Sequence, residues 1–148
     1  RDQPQALAIV NTKAHAMALL DALDDPDALH LSTLLCGAHR RDVLNGIHER
    51  LRNGRPCRLI ATQVVEAGVD IDFPLVVRAE GPWDAIVQAA GRCNREGRLP
   101  YGHLRVFRPE DDSIPSGPYR TGTDLTQLLV ADRRDPDDPG HAKRMTMQ

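Results

Sequence analysis

Aromatic residues are scarce in this chain of 148 residues, which has one Trp, two Tyr and two Phe. Proteins that bind single-stranded nucleic acid without sequence preference stack bases on such rings, so stacking is not expected to dominate a nucleic-acid contact here. Contacts with phosphates stay open as an alternative. The formal net charge of −2 also argues against a wholly basic nucleic-acid-binding domain.

Cysteines and long apolar runs are also few. Cys36, Cys57 and Cys93 are an odd number at spacings unlike Cys-x-x-Cys, which argues against a disulfide framework and a zinc site. We expect buried or neutral thiols and no bound metal. No run approaches the roughly 18 apolar residues that cross a membrane, and residues 1–4 do not resemble a secretory signal. We therefore expect a cytoplasmic protein that does not contact a membrane.

Acidic residues and prolines concentrate towards the end of the chain. Residues 109–139 carry eight Asp and Glu against three Lys and Arg, whereas residues 1–108 carry 13 against 14. This contrast predicts a folded domain over residues 1–108 and an acidic, Pro-rich extension or linker over residues 109–148. Within the extension, a short helix is predicted at residues 124–131.

Short apolar runs alternate with amphipathic segments over residues 6–107. Strands are predicted at residues 6–10, 29–35, 58–61, 75–77 and 103–107, and helices at residues 12–23, 39–53 and from about residue 82. Strands that alternate with helices form parallel sheets covered by helices on both faces, so the fold class is α/β. Ligands are then expected at the carboxyl ends of the strands.

The helix that begins near residue 82 is predicted to continue through the segment Gln88-Ala-Ala-Gly-Arg-Cys-Asn-Arg95. On a helix, Gln88, Arg92 and Arg95 fall within an arc of roughly 60° and form one polar stripe. A guanidinium is always charged and presents a rigid fork of donors, which suits a phosphate. A solvated helix face is the competing interpretation. The opposite side is expected to be buried and comprises Trp83, Ile86, Val87, Ala90 and Cys93.

A second polar segment, Thr62-Gln-Val-Val-Glu-Ala-Gly68-Val-Asp70-Ile-Asp72, follows the third predicted strand. Thr62 can offer a hydroxyl and an amide to a phosphate, and Gly68 permits a turn with positive φ that aims Asp70. The Asp70 carboxylate could then accept a hydrogen bond from a ribose hydroxyl. The alternative is structural, with Thr62 as a helix N-cap, Gly68 as a C-cap and Asp70 in solvent.

The two segments occur in the order and spacing of a known family. Residues 62–70 resemble motif V, and residues 88–95 resemble motif VI, of superfamily 2 helicases, while Val10-Asn11-Thr12 fits motif IV. The resemblance covers roughly residues 5–108 and implies a RecA-like three-layer domain, the second motor domain of such enzymes. The amino-acid sequences of both segments are most similar to those of the CRISPR-associated helicase-nuclease of type I systems.

The resemblance implies two groups of site residues. On the ATP side, it makes Arg95 the arginine finger, Arg92 a second phosphate or interdomain contact, and Gln88 a neighbour of the nucleotide. Gly68 and Asp70 would lie on the ribose and phosphate side. On the nucleic-acid side, Thr62, Gln63, Asn11 and Thr12 would contact the backbone of single-stranded DNA, Asn11 and Thr12 largely through main-chain groups.

The parts that cradle phosphates and magnesium are missing from this chain. It has no Gly-Lys-Ser/Thr phosphate loop, no Asp-Glu box and no His-Asp dipeptide of the family's nuclease centre. The resemblance therefore implies that ATP with Mg²⁺ is held mainly by a first RecA-like domain of the full-length chain, and that this fragment alone is inactive. Single-stranded DNA and a CRISPR RNA-guided surveillance complex are the other expected partners.

Two alternative functions are also compatible with the sequence. The chain could be the motor domain of another superfamily 2 RNA or DNA helicase or translocase. It could also be a non-catalytic module that binds a nucleotide or a nucleic acid. A phosphate loop elsewhere in the full-length sequence would exclude the second alternative.

Overall fold

The computed structural model describes residues 3–66, 68–111 and 113–131, and within these ranges it has five strands and four helices. The strands are β1 (Gln5–Ile9), β2 (Leu29–Leu31), β3 (Cys57–Ala61), β4 (Leu75–Ala79) and β5 (His103–Phe107). The helices are α1 (Lys13–Leu23), α2 (Gly37–Arg52), α3 (Trp83–Ala90) and α4 (Pro118–Ala131), and a short 3₁₀ turn spans Gln63–Val65. The predicted α/β fold class is confirmed.

All five described strands run parallel, in the spatial order β2-β3-β1-β4-β5. The register places Ile9 of β1 beside Ala61 of β3 on one side and beside Arg78 of β4 on the other. Because the three central strands point the same way, the segments that follow them meet at one edge of the sheet. This edge is where ligands bind in parallel sheets.

Helices pack on both faces of the sheet, as the alternating pattern predicts. On one face, α2 contributes the buried Ile47 and α3 the buried Ala89 to a core with strand residues such as Leu59. On the other face, Ala16 of α1 packs with Ile60. Each fully buried Leu or Ile side chain contributes about 1.5–3 kcal/mol to folding, so the two cores account for much of the stability.

The long helix predicted through Arg95 is wrong, because α3 ends at Ala90. Beyond it the chain pairs with Phe73, whose N–H donates to Arg92 O at 2.9 Å and whose carbonyl accepts from Asn94 N at 2.9 Å. Asn94 has φ 49°, outside helical geometry. Arg92 and Arg95 therefore do not form a helical stripe with Gln88.

The predicted buried side of α3 is also wrong in part. The helix buries Ala85, Ile86 and Ala89, whereas Val87 is 50% exposed. Ala90 is exposed as well. The reason is that α3 has only eight residues and packs through a narrow apolar stripe, whereas the predicted buried side assumed a longer helix.

Two other boundaries differ from the prediction by four residues or more. Strand β2 ends at Leu31 rather than residue 35, since the Ser32 carbonyl and hydroxyl accept from Leu35 N at 3.3 Å and Leu34 N at 3.2 Å in a turn. Helix α4 begins at Pro118 rather than residue 124. Proline is favoured at the first position of a helix, where its missing N–H costs nothing.

Residues after the predicted domain boundary pack against the predicted domain, at the start of α3. Ile114, Thr123 and Thr126 are buried, and a Cβ at Gly122 would lie 3.0 Å from Pro82 Cβ at the start of α3. The division of the chain at residue 108 stays a prediction, and residues 132–148 of the predicted extension lie outside the described residues. In the part of the chain that the structure describes, no helix is both long and apolar enough to cross a membrane.

Candidate functional site

Two polar clusters lie along the edge where the central strands end. The buried cluster consists of Asn11, Glu66, Arg78 and Tyr119. The exposed cluster consists of Asp70, Asp72 and Arg95. The residues come from the segments after β1 and β3, from β4, from the turn after α3, and from α4.

Arg78 is the centre of the buried cluster and is 0% exposed. Its Nη1 donates to Asn11 Oδ1 and to Ala79 O, both at 2.7 Å, and its Nη2 donates to Tyr119 Oη at 2.7 Å. Its Nε lies 2.8 Å from Glu66 Oε1 in an ion pair. A buried charge needs such partners, because an unpaired one would be strongly destabilising.

Sequence reasoning missed Arg78, Glu66 and Tyr119 as site residues. One signal was available for Arg78, since it is the single charged residue in the apolar run Leu75-Val-Val-Arg-Ala79. Such a residue in a central strand must find buried partners. Glu66 lies within the second polar segment but carried no assigned role, and nothing in the sequence around Tyr119 marks it.

The Asn11 side chain is buried and forms hydrogen bonds with other groups of the protein. It is 5% exposed, its Nδ2 donates to Glu80 O at 2.7 Å, and its Oδ1 accepts from both Arg78 and Tyr119. Its carbonyl accepts from Gln63 Nε2 at 2.9 Å. The residues assigned to nucleic acid after β1 and after β3 are therefore joined to each other.

The threonines of this edge differ in their local roles. Thr12 is the N-cap of α1, and its Oγ1 accepts from His15 N at 3.1 Å. Thr62 is 5% exposed at the end of β3 and makes no side-chain cap bond to the turn that follows, so its interpretation as a side-chain N-cap is wrong. A short 3₁₀ turn rather than an α-helix follows Thr62, which explains the difference.

Gly68 adopts φ +70°, as the sequence predicted for a turn that aims Asp70. Val69 and Ile71 are buried at 5% and 2%, while the Asp70 side chain between them is 83% exposed. Any residue with a Cβ would be strained at this φ. The turn therefore presents a carboxylate to solvent from a backbone that is fixed on both sides by the core.

Arg95 belongs to the exposed cluster and pairs through Nη1 with Asp70 Oδ1. Its side chain is 47% exposed. Asp72 fixes the backbone beneath it, because Oδ1 accepts from Arg95 N at 2.7 Å and Oδ2 accepts from Glu96 N at 3.2 Å. The structure thus brings residues of the two sequence motifs together and adds Asp72, which had no assigned role.

Arg92 faces inwards, unlike Arg95. Its Nε donates to Val65 O at 3.0 Å and its Nη2 donates to Glu66 O at 2.9 Å, so it binds the main chain of the segment after β3. Gln88 is exposed in the last turn of α3. The sequence-predicted site residues therefore differ in exposure: some are buried (Asn11 and Thr62), some are half-buried (Thr12, Gln63 and Arg92) and the others are exposed (Gly68, Asp70, Gln88 and Arg95).

Burial controls ionisation around the site. It raises the pKa of Glu66, an effect that Arg78 opposes. Burial also raises the pKa of Cys57 to about 11 and that of Cys93 above its usual range, which confirms the expected neutral thiols for these two, whereas Cys36 is exposed. Among the described residues, no group of three or more His, Cys, Asp and Glu is arranged to hold a metal ion.

Comparison with protein families finds a match over residues 2–98 to the family described as CRISPR-associated nuclease/helicase Cas3, C-terminal. A CRISPR-associated nuclease/helicase Cas3 from Methanothermobacter thermautotrophicus is 30% identical over 133 residues. That alignment covers 89% of this chain and 15% of the relative, so the chain spans a small part of that relative's length.

Solved structures show the same likeness. The crystal structure of T. fusca Cas3-ATP is 28% identical with a TM-score of 0.62, over 86% of this chain and 17% of that one. A chain in a CRISPR RNA-guided surveillance complex, pre-nicking, is 27% identical with a TM-score of 0.63, over 87% of this chain and 19% of that one. The predicted RecA-like fold and the predicted helicase superfamily are confirmed.

Proposed function

Because this chain belongs to the C-terminal domain family of the CRISPR-associated nuclease/helicase Cas3, we propose that it is the second motor domain of a longer helicase-nuclease. That protein hydrolyses ATP, moves along single-stranded DNA and acts in type I CRISPR interference. This domain supplies the arginine finger and part of the nucleic-acid track. The protein works in the cytoplasm.

The observation that carries this proposal is the position of Arg95. Its guanidinium is about half exposed at the carboxyl edge of the sheet and is paired with Asp70, whose side chain is more exposed still. An exposed ion pair is worth only about 0–1 kcal/mol, so a phosphate can replace the carboxylate at little cost. The ion pair with Asp70 therefore leaves the guanidinium accessible to a ligand.

In the proposed cycle, ATP is bound on the first motor domain together with Mg²⁺, and the two domains close on it. Arg95 then stabilises the charge that develops on the γ-phosphate, an effect worth about 10³- to 10⁵-fold in rate in other nucleotidases. Gly68 and Asp70 face the ribose and phosphates, with Gln88 beside the nucleotide. Reopening after hydrolysis advances the protein along the strand.

Arg92 acts at the same cleft as a second contact. It already donates to the carbonyls of Val65 and Glu66, so we assign it chiefly to orienting the segment that carries Gly68 and Asp70. Of the two arginines, Arg95 is the better candidate for the γ-phosphate, because its partner is a solvent-exposed side chain and not buried main chain.

On the nucleic-acid side, Thr62, Gln63, Asn11 and Thr12 contact the sugar-phosphate backbone. The Asn11 side chain is engaged by Glu80, Arg78 and Tyr119, so its contact is through the main chain. Contacts to the backbone carry no sequence information, which suits movement along any strand. Support for the partners comes from the relatives, whose solved structures include Cas3-ATP and a CRISPR RNA-guided surveillance complex.

ATP hydrolysis by the full-length protein, with and without single-stranded DNA, tests the proposal. We expect DNA to stimulate hydrolysis, and we expect the isolated chain of 148 residues to bind ATP weakly or not at all in calorimetry. Stimulation by RNA in place of DNA would favour another helicase of the superfamily. Tight ATP binding by the isolated chain, with no hydrolysis by the full-length protein, would favour a binding module.

A further inference from the structure

Tyr119 ties helix α4 to the buried cluster. It lies beyond residues 2–98, the part that matches the family model. Its hydroxyl accepts from Arg78 Nη2 at 2.7 Å and donates to Asn11 Oδ1 at 2.9 Å. A residue outside the matched part therefore completes the hydrogen bonding of a buried arginine inside it.

Arg78 connects both sides of the proposed site. Through Asn11 it reaches the nucleic-acid side, because Asn11 O also accepts from Gln63 Nε2 at 2.9 Å. Through Glu66 it reaches the ATP side, because Glu66 O accepts from Arg92 Nη2 at 2.9 Å. Glu66 is thus held by one arginine at its carboxylate and by another at its carbonyl.

The docking of α4 is closely fitted. A Cβ at Gly81 would lie 2.7 Å from Tyr119 Oη, closer than real contacts allow, so a larger residue would displace the hydroxyl. Thr123 and Thr126 are 0% and 2% exposed on the same helix. The hydroxyl is therefore placed by packing on both sides, and its bonds to Arg78 and Asn11 are not incidental surface contacts.

We propose that Arg78 and Tyr119 are positioning residues, through which α4 holds the DNA-contacting segments after β1 and β3 in their binding arrangement. This inference rests on the proposed function and adds a determinant from outside the helicase motifs. If Arg78 and Tyr119 served folding alone, substituting them would change stability and leave DNA affinity unaltered. A positioning role requires the concentration of DNA that half-saturates ATP hydrolysis to change.

Tyr119→Phe in the full-length protein, measured with oligo(dT), is the direct test, because Phe keeps the ring and removes the hydroxyl. We expect the half-saturating DNA concentration to rise about fivefold, the scale of one lost buried hydrogen bond, with kcat at saturating DNA within about twofold of wild type. Tyr101→Phe is the matched control, since Tyr101 is 69% exposed and packs edge-on against His103. It should leave both constants unchanged.

Arg78→Lys provides a second variant that keeps the charge but loses the guanidinium fork. We expect it to raise the half-saturating DNA concentration by more than Tyr119→Phe does, because it breaks the bonds to Asn11 and Tyr119 together. Equal DNA dependence for Tyr119→Phe, Tyr101→Phe and wild type would overturn the inference and leave the proposed function standing. ATP hydrolysis by the wild-type protein that does not change when DNA is added would overturn both the inference and the proposed function.

Discussion

The buried cluster around Arg78 and the exposed cluster around Arg95 use the same chemistry in opposite settings. Each pairs a guanidinium with a carboxylate at the same edge of the sheet, but Arg78 is 0% exposed and the Arg95 side chain is 47% exposed. A partner that is buried cannot be exchanged without unfolding the site. A partner in solvent can be exchanged for a ligand. The comparison separates the arginine that builds the site from the arginine that can act in it.

The energetic difference between the clusters should be large. Removing one partner of a buried ion pair costs about 3–5 kcal/mol, because the other charge is left without compensation. Removing one partner of an exposed pair costs about 0–1 kcal/mol. Substitutions that remove a charge from the buried cluster should therefore cost far more stability than those that remove a charge from the exposed cluster.

Arg78→Met should have the largest effect on stability. It leaves the Glu66 carboxylate buried and unpaired and removes donors from Asn11 and Tyr119, so we expect a loss of about 3–5 kcal/mol in the free energy of unfolding. Urea denaturation of the chain measures it. Arg95→Met serves as the control, with an expected change below about 1 kcal/mol. Similar losses in the two variants would remove the distinction between the clusters.

Arg92→Ala should have an intermediate effect. Its guanidinium makes two charge-assisted hydrogen bonds to main-chain carbonyls. A hydrogen bond to a charged group contributes a net of about 1.5–3 kcal/mol when it is buried, and less for a half-buried side chain such as Arg92. We expect a net loss of about 2 kcal/mol in the same denaturation experiment. Arg98, in the same loop, pairs with Glu96 and is 62% exposed at its side chain. Arg92→Ala matching Arg98→Ala would show that Arg92 does not hold the segment after β3.

Asp72→Ala tests whether the exposed cluster has a fixed base. The carboxylate accepts from the backbone N–H groups of Arg95 and Glu96, much as an N-cap residue does. Losing such a cap costs about 1 kcal/mol, which we expect in thermal or urea denaturation. DNA-stimulated ATP hydrolysis of the full-length protein should fall as well, because the turn under Arg95 loosens. Unchanged hydrolysis would show that Arg95 does not depend on Asp72.

A smaller effect on stability is expected at Asp111, an exposed carboxylate that accepts hydrogen bonds from groups other than arginine. Hydrogen bonds from Ser113 and His15 lower its pKa from the ordinary 3.8 to about 2. Asp111 therefore adds stability above the unfolded pKa near 3.8, and this contribution is lost as the pH falls towards 2. Ser113→Ala should raise the pKa towards 3.8, as followed by NMR of the carboxyl carbon. An unchanged pKa would leave His15 and the backbone as the cause.

The sequence predicted the sheet well because its signal is local. Mostly apolar runs such as β1 and β3 are short and bounded by polar turns, and the parallel arrangement follows from the helices that separate most of the strands. The turn at Gly68 was also predictable, since only glycine adopts a φ of +70° without strain.

The parts that sequence reasoning missed depend on distant contacts. The segment after Ala90 has residues compatible with a helix, yet its backbone pairs with Phe73, which lies on the far side of β4 in the sequence. The roles of Glu66 and Tyr119 likewise depend on a distant residue, because both side chains bind Arg78 of β4. Helical spacing suggested one stripe of arginines, whereas tertiary contacts gave the two arginines opposite surroundings.

We propose that Arg95 completes an ATP site whose other half lies on another domain. Steady-state ATP hydrolysis by the full-length protein carrying Arg95→Ala, at saturating single-stranded DNA, tests it most directly, with Arg98→Ala as the control from the same loop. We expect a loss of about 10³- to 10⁵-fold in kcat for Arg95→Ala, an unchanged melting temperature, and near wild-type hydrolysis for Arg98→Ala. Wild-type hydrolysis by a folded Arg95→Ala protein would contradict it.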